Sequence, residues 1–336
     1  MNILTDYKDP KAIVPENKDI IYVDHSTIST FRLCQEKARL NYVLHLRPNK
    51  PSHPLSFGHA FHAAIQEYYG EGFSVEKALS AFIKDCQDND AQLPINIEND
   101  EKRSIERGLG LVNAYISKWS ESEHYDIISK EYIEVGFAVY LMDWNSRPVM
   151  YVGRIDRIMK SRLSGKPYIF ELKTTGGGLS QFTKQVRPNH QITGYQWACK
   201  QTMGLEPVAT IWDSVFISDR KPDLKKGSWF SYGIDIEKDF SRVETRRSPV
   251  DIDEFLFDLK GSVREYLKLK DARVSPESDW WARDRWIRSA PTSCFMYGGC
   301  MYLDICSMNL NEAIIRSNYH EEPWRPWIGI TEDAKI

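Results

Sequence analysis

The segment that decides the fold is PVMYVGRIDRIMKSRLSGKPYIFELKTT, residues 148–175. Its first part, PVMYVGRIDRIM, and its last part, PYIFELKTT, alternate β-branched or aromatic residues with polar ones, as is typical of β-strands. The intervening SRLSGKP contains Ser, Gly and Pro and therefore predicts a turn. We expect the two strands to pair as a hairpin.

Three charged side chains stand in this hairpin: Asp156 at the end of GRID (153–156), and Glu171 and Lys173 in the second strand. Residues two apart in a strand share a face, so Glu171 and Lys173 point the same way while Leu172 points into the opposite, buried layer. If Asp156 approaches them from the neighbouring strand, two carboxylates can bind a hard cation such as Mg²⁺.

Phosphodiester hydrolysis explains why these residue types would stand together. The reaction needs an activated water, neutralisation of charge on the phosphoryl oxygens and stabilisation of the leaving oxygen, and a bound divalent ion contributes to all three. Lys173 would orient or deprotonate the water. By itself, however, Glu-x-Lys on a strand is commonplace, so the hypothesis depends on further residues.

Two helical segments supply such residues. Upstream, Gly58 and His62 have the spacing G-x-x-x-H, and His59 is a competing histidine for which a surface or packing role is favoured. Downstream, Gln191 and Tyr195 are four residues apart and therefore share a helix face. A core role is the alternative for Tyr195.

In this order the elements resemble the PD-(D/E)xK nuclease domains of the RecB and AddB helicase-nucleases and of the CRISPR-associated exonuclease that processes prespacers. The resemblance spans most of the chain. The family pattern G-x-x-x-H, G-x-x-D, E-x-K and Q-x-x-x-Y is matched by Gly58 with His62, Gly153 with Asp156, Glu171 with Lys173, and Gln191 with Tyr195.

The resemblance implies a complete set of site residues around Mg²⁺ or Mn²⁺. The implied metal ligands are His62, Asp156, Glu171 and the backbone carbonyl of Leu172. The implied catalytic residues are Lys173, Asp156 and Glu171, with Gln191 and Tyr195 steadying the site or the DNA. Lys184 and Arg187, in the glycine-rich stretch 174–190 that follows, are predicted to touch DNA; a plain flexible connection is the alternative.

Three of the six cysteines, Cys294, Cys300 and Cys306, follow one another with five residues between each pair. In a reducing compartment such a group favours metal or redox chemistry over disulfides. A fourth ligand is suggested by STISTFRLC (26–34), which resembles the S-x-x-x-x-F-x-x-C stretch that opens the iron-sulfur members of the same family. The resemblance implies that Cys34 joins the three C-terminal cysteines around a 4Fe-4S cluster.

This cluster would act as a clasp between the two ends of the chain. It would close a loop of roughly 260 residues, which lowers the conformational entropy of the unfolded chain and so stabilises the fold by several kcal/mol. Zinc is the rival metal, although its sites usually use a short C-x2-4-C chelate. Two departures from the family are Gln35, where proline is common, and the wide cysteine spacing. Cys86 and Cys199 are expected to be packing residues.

The predicted fold class is α/β: a restriction-endonuclease-like PD-(D/E)xK core with a mixed sheet flanked by helices, helical insertions and an iron-sulfur clasp. The predicted regions are 1–56 (arm and first cluster-ligand helix), 57–275 (nuclease core, with a helical insertion at about 70–130) and 276–336 (cluster segment). After an irregular stretch at 1–23, Ser26 or Thr27 is expected to open a helix. Further helices are predicted at 57–69, 75–86, 101–119, 189–203 and 250–270, and further strands at 131–141, 209–218 and 229–236.

Composition and charge limit the class of protein. At 42% hydrophobic and 27% charged residues the chain has a globular composition, and it lacks a signal pattern or an apolar membrane span, which predicts a cytoplasmic protein of bacterial, archaeal or viral origin. The net charge of −3 does not indicate a nucleic-acid binder, so local basic runs at 220–226, 242–247 and 283–288 would have to contact DNA. A solvated surface is the favoured interpretation of each run.

The favoured function is a divalent-metal-dependent DNA exonuclease of recombination, repair or replication, acting on DNA that is single-stranded or has free ends, and by resemblance from the 5′ side. No G-x-x-x-x-G-K-[ST] loop occurs in the sequence, so any helicase or recombination protein would be a separate partner. The alternative is a catalytically weak module that binds DNA or a partner. A redox role has little support, because no flavin or nicotinamide fingerprint accompanies the cysteines.

Overall fold

The computed structural model of the protein describes residues 19–50, 52–89, 93–95, 102–120, 124–272, 286–289, 291–295, 299–308 and 312–326. Residues 1–18 of the irregular stretch predicted at 1–23, and residues 283–285 of the third basic run, lie outside the described residues. Within them, no helix is both long enough and apolar enough to cross a membrane.

A seven-stranded mixed sheet forms the centre of the protein. Its strands are β1 (Ile21–Asp24), β3 (Tyr125–Ile127), β4 (Ile133–Trp144), β5 (Arg147–Ser161), β6 (Pro167–Thr175), β7 (Thr210–Phe216) and β8 (Phe240–Thr245). The order is β1-β5-β6-β7-β8, with β3 and β4 also paired to β5. The predicted hairpin is confirmed, because β5 and β6 pair antiparallel with Arg157 opposite Phe170.

Helices surround this sheet. They are α1 (His25–Leu33), α2 (Gln35–Ala38), α3 (His53–Gly70), α4 (Val75–Asp88), α5 (Ile105–Ser120), α6 (Leu179–Thr183), α7 (His190–Ala198), α8 (Pro249–Asp271), α9 (Pro291–Cys294), α10 (Leu303–Met308) and α11 (Glu312–Asn318). Short π-helical turns at Arg39–Val43 and Cys199–Met203 follow α2 and α7.

Two apolar cores hold the helices against the sheet. Phe31, Tyr151 and Phe255 belong to the core beneath α1, α7 and α8. Phe61 and Tyr115 belong to a second core, beneath α3, α4 and α5. Burying one such side chain contributes about 1.5–3 kcal/mol, so both layers restrain the sheet from which the site residues project.

Strand β5 has different neighbours along its two halves. β4 pairs with one edge of β5 from Arg147 to Arg157. On the opposite edge, β1 ends its pairing at Val152 and β6 begins its own only at Arg157. Among the described strands, none therefore pairs with that edge over residues 153–156. We call this gap the β5 notch, and GRID occupies it.

A buried charge cluster lies where β7 packs against α5. The Asp213 side chain is fully buried, and its Oδ2 accepts hydrogen bonds from Tyr115 Oη (2.5 Å), Arg157 Nη2 (2.5 Å) and Arg242 Nη2 (3.1 Å). The Arg242 guanidinium also lies over the Trp119 ring, 4.0 Å from its centroid. The Asp213 carboxylate thus forms ion pairs with two arginines.

Replacing Asp213 with alanine should lower the free energy of unfolding by about 3–5 kcal/mol, because it leaves the buried guanidinium of Arg157 and the half-buried one of Arg242 without their anion. Urea unfolding followed by circular dichroism measures the change. The matched control is Asp126→Asn, which removes a surface ion pair with Arg162 (2.7 Å) and should cost less than about 1 kcal/mol. Equal losses in the two variants would contradict the importance of the cluster.

The N-terminal and C-terminal parts of the chain meet in a second, two-stranded sheet. β2 (Leu46–Pro48) pairs antiparallel with β9 (Tyr319–Glu321). Beside this pair, Leu40, Tyr302 and Ile315 form a separate apolar cluster. Tyr302 Oη donates a hydrogen bond to the Leu46 carbonyl (2.7 Å). The protein therefore joins its two ends through packing and backbone pairing.

Three local predictions were wrong. Residues 229–236 form no strand; a 3₁₀ turn at Ser228–Tyr232 ends at Gly233, whose φ of 70° breaks an extended backbone. The strand that pairs with β7 is β8, further along the chain. The first helix begins after Asp24, whose carboxylate accepts the Thr27 N–H (3.0 Å), and residues 21–24 are a strand rather than irregular.

Candidate functional site

The hairpin brings Asp156 and Glu171 close together. Asp156 lies in the β5 notch, and its Oδ2 accepts a hydrogen bond from the backbone N–H of Leu172 on β6 (2.6 Å). On β6, Lys173 Nζ donates a hydrogen bond to Glu171 Oε1. The acid and base groups predicted from the two strands thus stand at one end of the hairpin.

The backbone of Leu172 faces the same gap. Phe170 pairs with β5, whereas the Ile169 N–H donates to the Ala209 carbonyl on the other side of β6 (3.1 Å). Because successive residues of a strand direct their backbone groups to opposite edges, the N–H and C=O of Leu172 both face β5. The carbonyl that was predicted as a metal ligand therefore borders the β5 notch.

Two further side chains surround Asp156. One ligand atom from each of His62, Glu134 and Asp156 lies within 4.8 Å of the other two. His62 reaches in from α3, with its Nδ1 3.7 Å from Asp156 Oδ2. An imidazole and two carboxylates can together bind Mg²⁺ or Mn²⁺, which favour oxygen ligands.

Glu134 was missed by the sequence analysis, because in β4 it resembles an ordinary outward-facing polar residue. Its backbone φ of 52° lies in the left-handed region, which costs a residue with a Cβ about 1–2 kcal/mol and persists mainly at functional sites. Burial raises the pKa of Glu134 to about 7, and the charge of Asp156 adds to the increase. The charge of Arg154, whose Nη1 lies 3.5 Å from Glu134 Oε2, lowers this pKa.

The strand register gives a signal that could have revealed Glu134. Ile133 pairs with Arg157 and Val135 pairs with Ile155, so Glu134 stands across from Asp156. Two like charges opposite each other on paired strands are destabilising. An acidic cross-strand pair at this position is therefore better explained by a cation than by packing.

Glu171 is fully buried and only half satisfied. Its Oε1 bonds to Lys173, while its Oε2 is buried with no hydrogen-bond partner among the described residues. Burial raises the pKa of Glu171 to about 8; Asp156 raises it further and Lys173 lowers it. Glu171 is not one of the three residues whose ligand atoms lie within 4.8 Å of one another.

A divalent ion fits this arrangement. Glu134, Asp156 and Glu171 crowd the same end of the β5 notch, and neighbouring carboxylates disfavour one another's ionised forms. A cation among them would remove the repulsion and could provide the orphaned Oε2 with a partner. Leaving such an oxygen buried and unpaired costs about 1–3 kcal/mol.

Lys173 carries the positive charge beside these carboxylates. Burial lowers its pKa, but the charges of Glu171 and Asp156 outweigh burial and raise it overall. The ammonium form therefore predominates at neutral pH, so the side chain acts as a cation and hydrogen-bond donor.

Gln191 and Tyr195 are brought to the same site by α7. Gln191 Nε2 donates to Tyr195 Oη (2.8 Å). Tyr195 is also part of the core, where its ring meets Phe137 edge-on. Burial raises the pKa of Tyr195, and the nearby charges of Glu171 and Asp156 raise it further. Tyr195 is therefore both a core residue and a neighbour of the site.

The competing histidine lies elsewhere. His59 Nδ1 contacts Asp85 Oδ2 on α4 (2.7 Å), and its side chain is 68% exposed. It does not belong to the group formed by His62, Glu134 and Asp156. The structure thus places His62 at the site and His59 at the surface.

The stretch after β6 contains the short helix α6, so it is more ordered than a plain connection. Lys184 is exposed at the end of α6. Arg187 is 68% exposed and donates hydrogen bonds to the Arg246 carbonyl (2.9 Å) and to Asp251 Oδ1 (3.2 Å). Neither side chain approaches the metal-ligand group by any contact in the described residues.

Several arginines of the predicted basic runs form ion pairs or hydrogen bonds with other groups of the protein. Arg220 pairs with Asp239 (2.7 Å), and Arg242 pairs with Asp213. Arg247 donates to Thr193 Oγ1 (2.8 Å) and to the Val186 carbonyl (3.0 Å). These contacts occupy the three arginines within the protein.

The four predicted cluster cysteines lie where the two ends of the chain meet. Cys34 stands between α1 and α2, and the Cys300 N–H donates to the Cys294 carbonyl (2.7 Å). Burial raises the pKa of Cys306 to about 11, and Cys300 and Cys34 are near enough to add to the increase. Among the described residues, no three cysteine sulfurs lie within 4.8 Å of one another.

Comparison with known proteins identifies the family. The profile of the PD-(D/E)XK nuclease superfamily matches residues 23–307, which include the β5 notch, β6 and α7. A solved structure of a presumed exonuclease from Eubacterium rectale has 12% identity and a TM-score of 0.43, covering 80% of this chain and 90% of that one. No curated protein matches the chain. Because the family profile matches well over half of its length, the chain belongs to the PD-(D/E)XK nuclease superfamily.

Proposed function

We propose that the protein is a divalent-metal-dependent deoxyribonuclease that hydrolyses phosphodiester bonds at the β5 notch. The observation that carries the proposal is the group of His62, Glu134 and Asp156 ligand atoms within 4.8 Å of one another, beside the Glu171–Lys173 pair. An acidic group with an imidazole and a neighbouring lysine is what metal-assisted phosphoryl transfer requires.

His62, Glu134 and Asp156 would hold the ion, with Glu171 and the Leu172 carbonyl at its margin. When bound, a divalent ion supplies a Lewis acid for the phosphoryl oxygen and lowers the pKa of water. The Leu172 N–H keeps Asp156 in place through its 2.6 Å hydrogen bond. Each ligand comes from a different element, so the ion would also tie α3, β4 and β5 together.

Lys173 would hold the attacking water and neutralise charge on the phosphoryl oxygens. Its partner Glu171 fixes the direction of the ammonium group, because Glu171 itself is fully buried. Gln191 and Tyr195, joined by a 2.8 Å hydrogen bond, would steady Glu171 or the DNA strand. Lys184 and Arg187, exposed beyond β6, would contact the strand further from the cut.

We further propose that the enzyme is an exonuclease acting at single-strand ends in the 5′ to 3′ direction, in recombination, repair or replication, alongside a separate helicase or recombination protein. Support for these finer points comes from the resemblance of the motifs to the RecB-like family. A catalytically weak binding module is the rival, and the chemically competent residues at every motif position argue against it.

Digestion of end-labelled single- and double-stranded DNA by anaerobically purified protein tests the activity. Cleavage is expected with Mg²⁺ or Mn²⁺ and should stop with chelator. Release of labelled mononucleotides from one end would support exonuclease action. Binding of DNA without cleavage under every metal condition would support the rival module instead.

We propose that Cys34, Cys294, Cys300 and Cys306 bind a 4Fe-4S cluster. The support is the donor set, four thiols at the junction that β2 and β9 also join. The resemblance of residues 26–34 to the opening stretch of the iron-sulfur members, and the lack of a short C-x2-4-C chelate among these four cysteines, favour the cluster over zinc.

Cys300→Ala should bleach the brown colour of anaerobically purified protein and lower its melting temperature by several degrees, because the clasp between the chain ends is lost. Visible absorption, iron and zinc content, and thermal unfolding are the measurements. Cys86→Ala is the matched control: Cys86 is buried between helices and should keep the spectrum. An unchanged spectrum in Cys300→Ala, or zinc in place of iron, would contradict the proposal.

A further inference from the structure

A second concave site is lined in part by Tyr151 of β5, the strand that contains the β5 notch. It is a pocket of about 280 Å³ bordered by α1, β5, α7 and α8, and we call it the α1–α8 pocket. Its polar lining consists of His25, Ser29 and Arg32 from α1 and His190 from α7. None of these residues belongs to the metal-ligand group, so the motif match leaves the pocket unexplained.

Two nitrogens of the Arg32 guanidinium are hydrogen-bonded to the protein, and the third, Nη2, makes no hydrogen bond within the described part of the chain. Its Nε donates to Ser262 Oγ (2.8 Å), and its Nη1 contacts His190 Nδ1 (2.5 Å). Among the described residues, no carboxylate forms an ion pair with Arg32. Asp258 is the neighbouring acid whose charge acts on it. A guanidinium held this way offers its free N–H groups to an anion.

His25 connects the pocket to the candidate metal site. Burial lowers its pKa to about 4, and the charges of Lys173, His190 and Arg32 add to the decrease. Lys173 is therefore a near neighbour of the pocket wall. Burial and the charges of Arg32 and Arg247 also lower the pKa of His190, and the charge of Asp258 raises it. Lys173 is itself paired with Glu171, so the cation of the pocket that lacks a carboxylate partner within the described part of the chain is Arg32, which favours an anionic ligand.

The floor of the pocket is closed. Ile28, Tyr151, Phe255 and Leu259 line it, and each is at most 3% exposed as part of the main apolar core. A strand that entered could not pass through the core to leave on the other side. The pocket therefore opens on one side only, and a volume of about 280 Å³ accommodates a small group such as a phosphate rather than a long segment.

We propose that the α1–α8 pocket binds the terminal phosphate of a DNA strand whose adjacent phosphodiester lies at the β5 notch. This inference rests on the proposed nuclease function and deepens it, since anchoring the end would determine where the first cut falls. A terminal phosphate monoester carries about −1.5 to −2 charges, more than an internal diester, so the cationic wall should discriminate between them. Arg32 would bind its oxygens and His25 or Ser29 would complete the contact.

Binding of labelled oligonucleotides without metal ions tests the inference independently of cleavage. Three otherwise identical single strands with an internal fluorophore carry a 5′-phosphate, a 3′-phosphate or hydroxyls at both ends, and fluorescence anisotropy gives their Kd values. We expect one phosphorylated strand to bind about tenfold more tightly than the unphosphorylated strand. Whichever end is preferred identifies the end that the pocket holds.

Arg32→Gln should bring that ratio close to one, because glutamine can still bond to Ser262 but carries no charge. The matched control is Arg264→Gln, an exposed arginine on α8 outside the pocket lining, which should keep the preference. Circular dichroism checks that both variants fold. Equal affinity for all three strands in the wild type, or a preference that survives Arg32→Gln, would overturn the inference.

Orthophosphate distinguishes the DNA end from free phosphate. We expect it to compete only weakly with the phosphorylated strand, because it lacks the contacts of the adjoining nucleotides. Competition as strong as that of an unlabelled phosphorylated strand would mean that free phosphate is the ligand and would refute a DNA-end site. A phosphate preference in a protein that never cleaves DNA would refute only the proposed nuclease function.

Discussion

Asp156→Asn should lower the rate of DNA cleavage at least about a thousandfold while leaving the fold intact. Asp156 is one of the three residues of the metal-ligand group, and a metal ion contributes several kcal/mol of transition-state stabilisation, with each 1.36 kcal/mol worth a factor of ten. Asparagine has nearly the same shape and can still accept the Leu172 N–H. Initial rates on end-labelled DNA with Mg²⁺ or Mn²⁺ measure the effect.

The matched control for this variant is Asp85→Asn. Asp85 is the carboxylate partner of His59, the other histidine of α3, just as Asp156 is the neighbour of His62. The control removes a carboxylate beside a histidine outside the site and should cleave at the wild-type rate. Full activity in Asp156→Asn, with the folded protein verified by circular dichroism, would refute the site assignment.

Lys173→Met should reduce cleavage about 10²- to 10⁴-fold, the usual contribution of a positioned proton-transfer or charge-stabilising group. Methionine preserves much of the length of the side chain but removes the ammonium group that Glu171 fixes. Unlike Asp156→Asn, this variant keeps every residue of the metal-ligand group, so it should still bind Mn²⁺. Single-turnover rates and Mn²⁺ titration separate the two effects.

Lys160→Met, which removes an exposed lysine from the same hairpin, is the control for the loss of a positive charge. It should retain wild-type cleavage. If Lys173→Met cleaved as fast as Lys160→Met, Lys173 would have no catalytic role. A loss of Mn²⁺ binding in Lys173→Met would instead mean that the lysine supports the metal site rather than the chemistry.

The central hairpin could be predicted closely because its signals are local. Alternating apolar residues and a Ser-Gly-Pro turn determine both strands, and β5 and β6 match the predicted ranges within about two residues. Residues that share a strand or a helix face are equally local, which is why Glu171 with Lys173 and Gln191 with Tyr195 were found as pairs.

The parts that were missed depend on pairing between distant strands. Glu134 becomes a candidate only when the register of β4 against β5 is known, since its own segment looks like any amphipathic strand. Asp213 is similar, because a strand residue gives no sign that two arginines from other strands will meet it in the core. Single-sequence patterns carry no information about such partners.

Strand β8 shows how side-chain chemistry can mislead. Its sequence FSRVET contains arginine and glutamate and was grouped with a basic run, yet the half-buried Arg242 is paired with the fully buried Asp213. The aromatic stretch at 229–236 has a strand-like composition, but Gly233 with a φ of 70° turns the chain. Tertiary ion pairing in one case and backbone geometry in the other override local propensity.

The N-terminal and C-terminal parts of the chain were predicted to be joined by a metal cluster. In the structure they are joined by strand pairing, a hydrogen bond and apolar packing. β2 pairs with β9, and Tyr302 bonds to Leu46 across the junction. At the same junction, Cys34 and Cys300 both lie near Cys306. The proposed cluster would therefore reinforce a junction that already has its own apolar core.

The most direct measurement of the central claim is an anomalous difference map from a crystal soaked in Mn²⁺. We expect a peak among His62, Glu134 and Asp156, with ligand distances of about 2.0–2.3 Å, and no such peak in Asp156→Asn. A wild-type crystal that binds Mn²⁺ elsewhere and leaves these three side chains without an ion would contradict that claim.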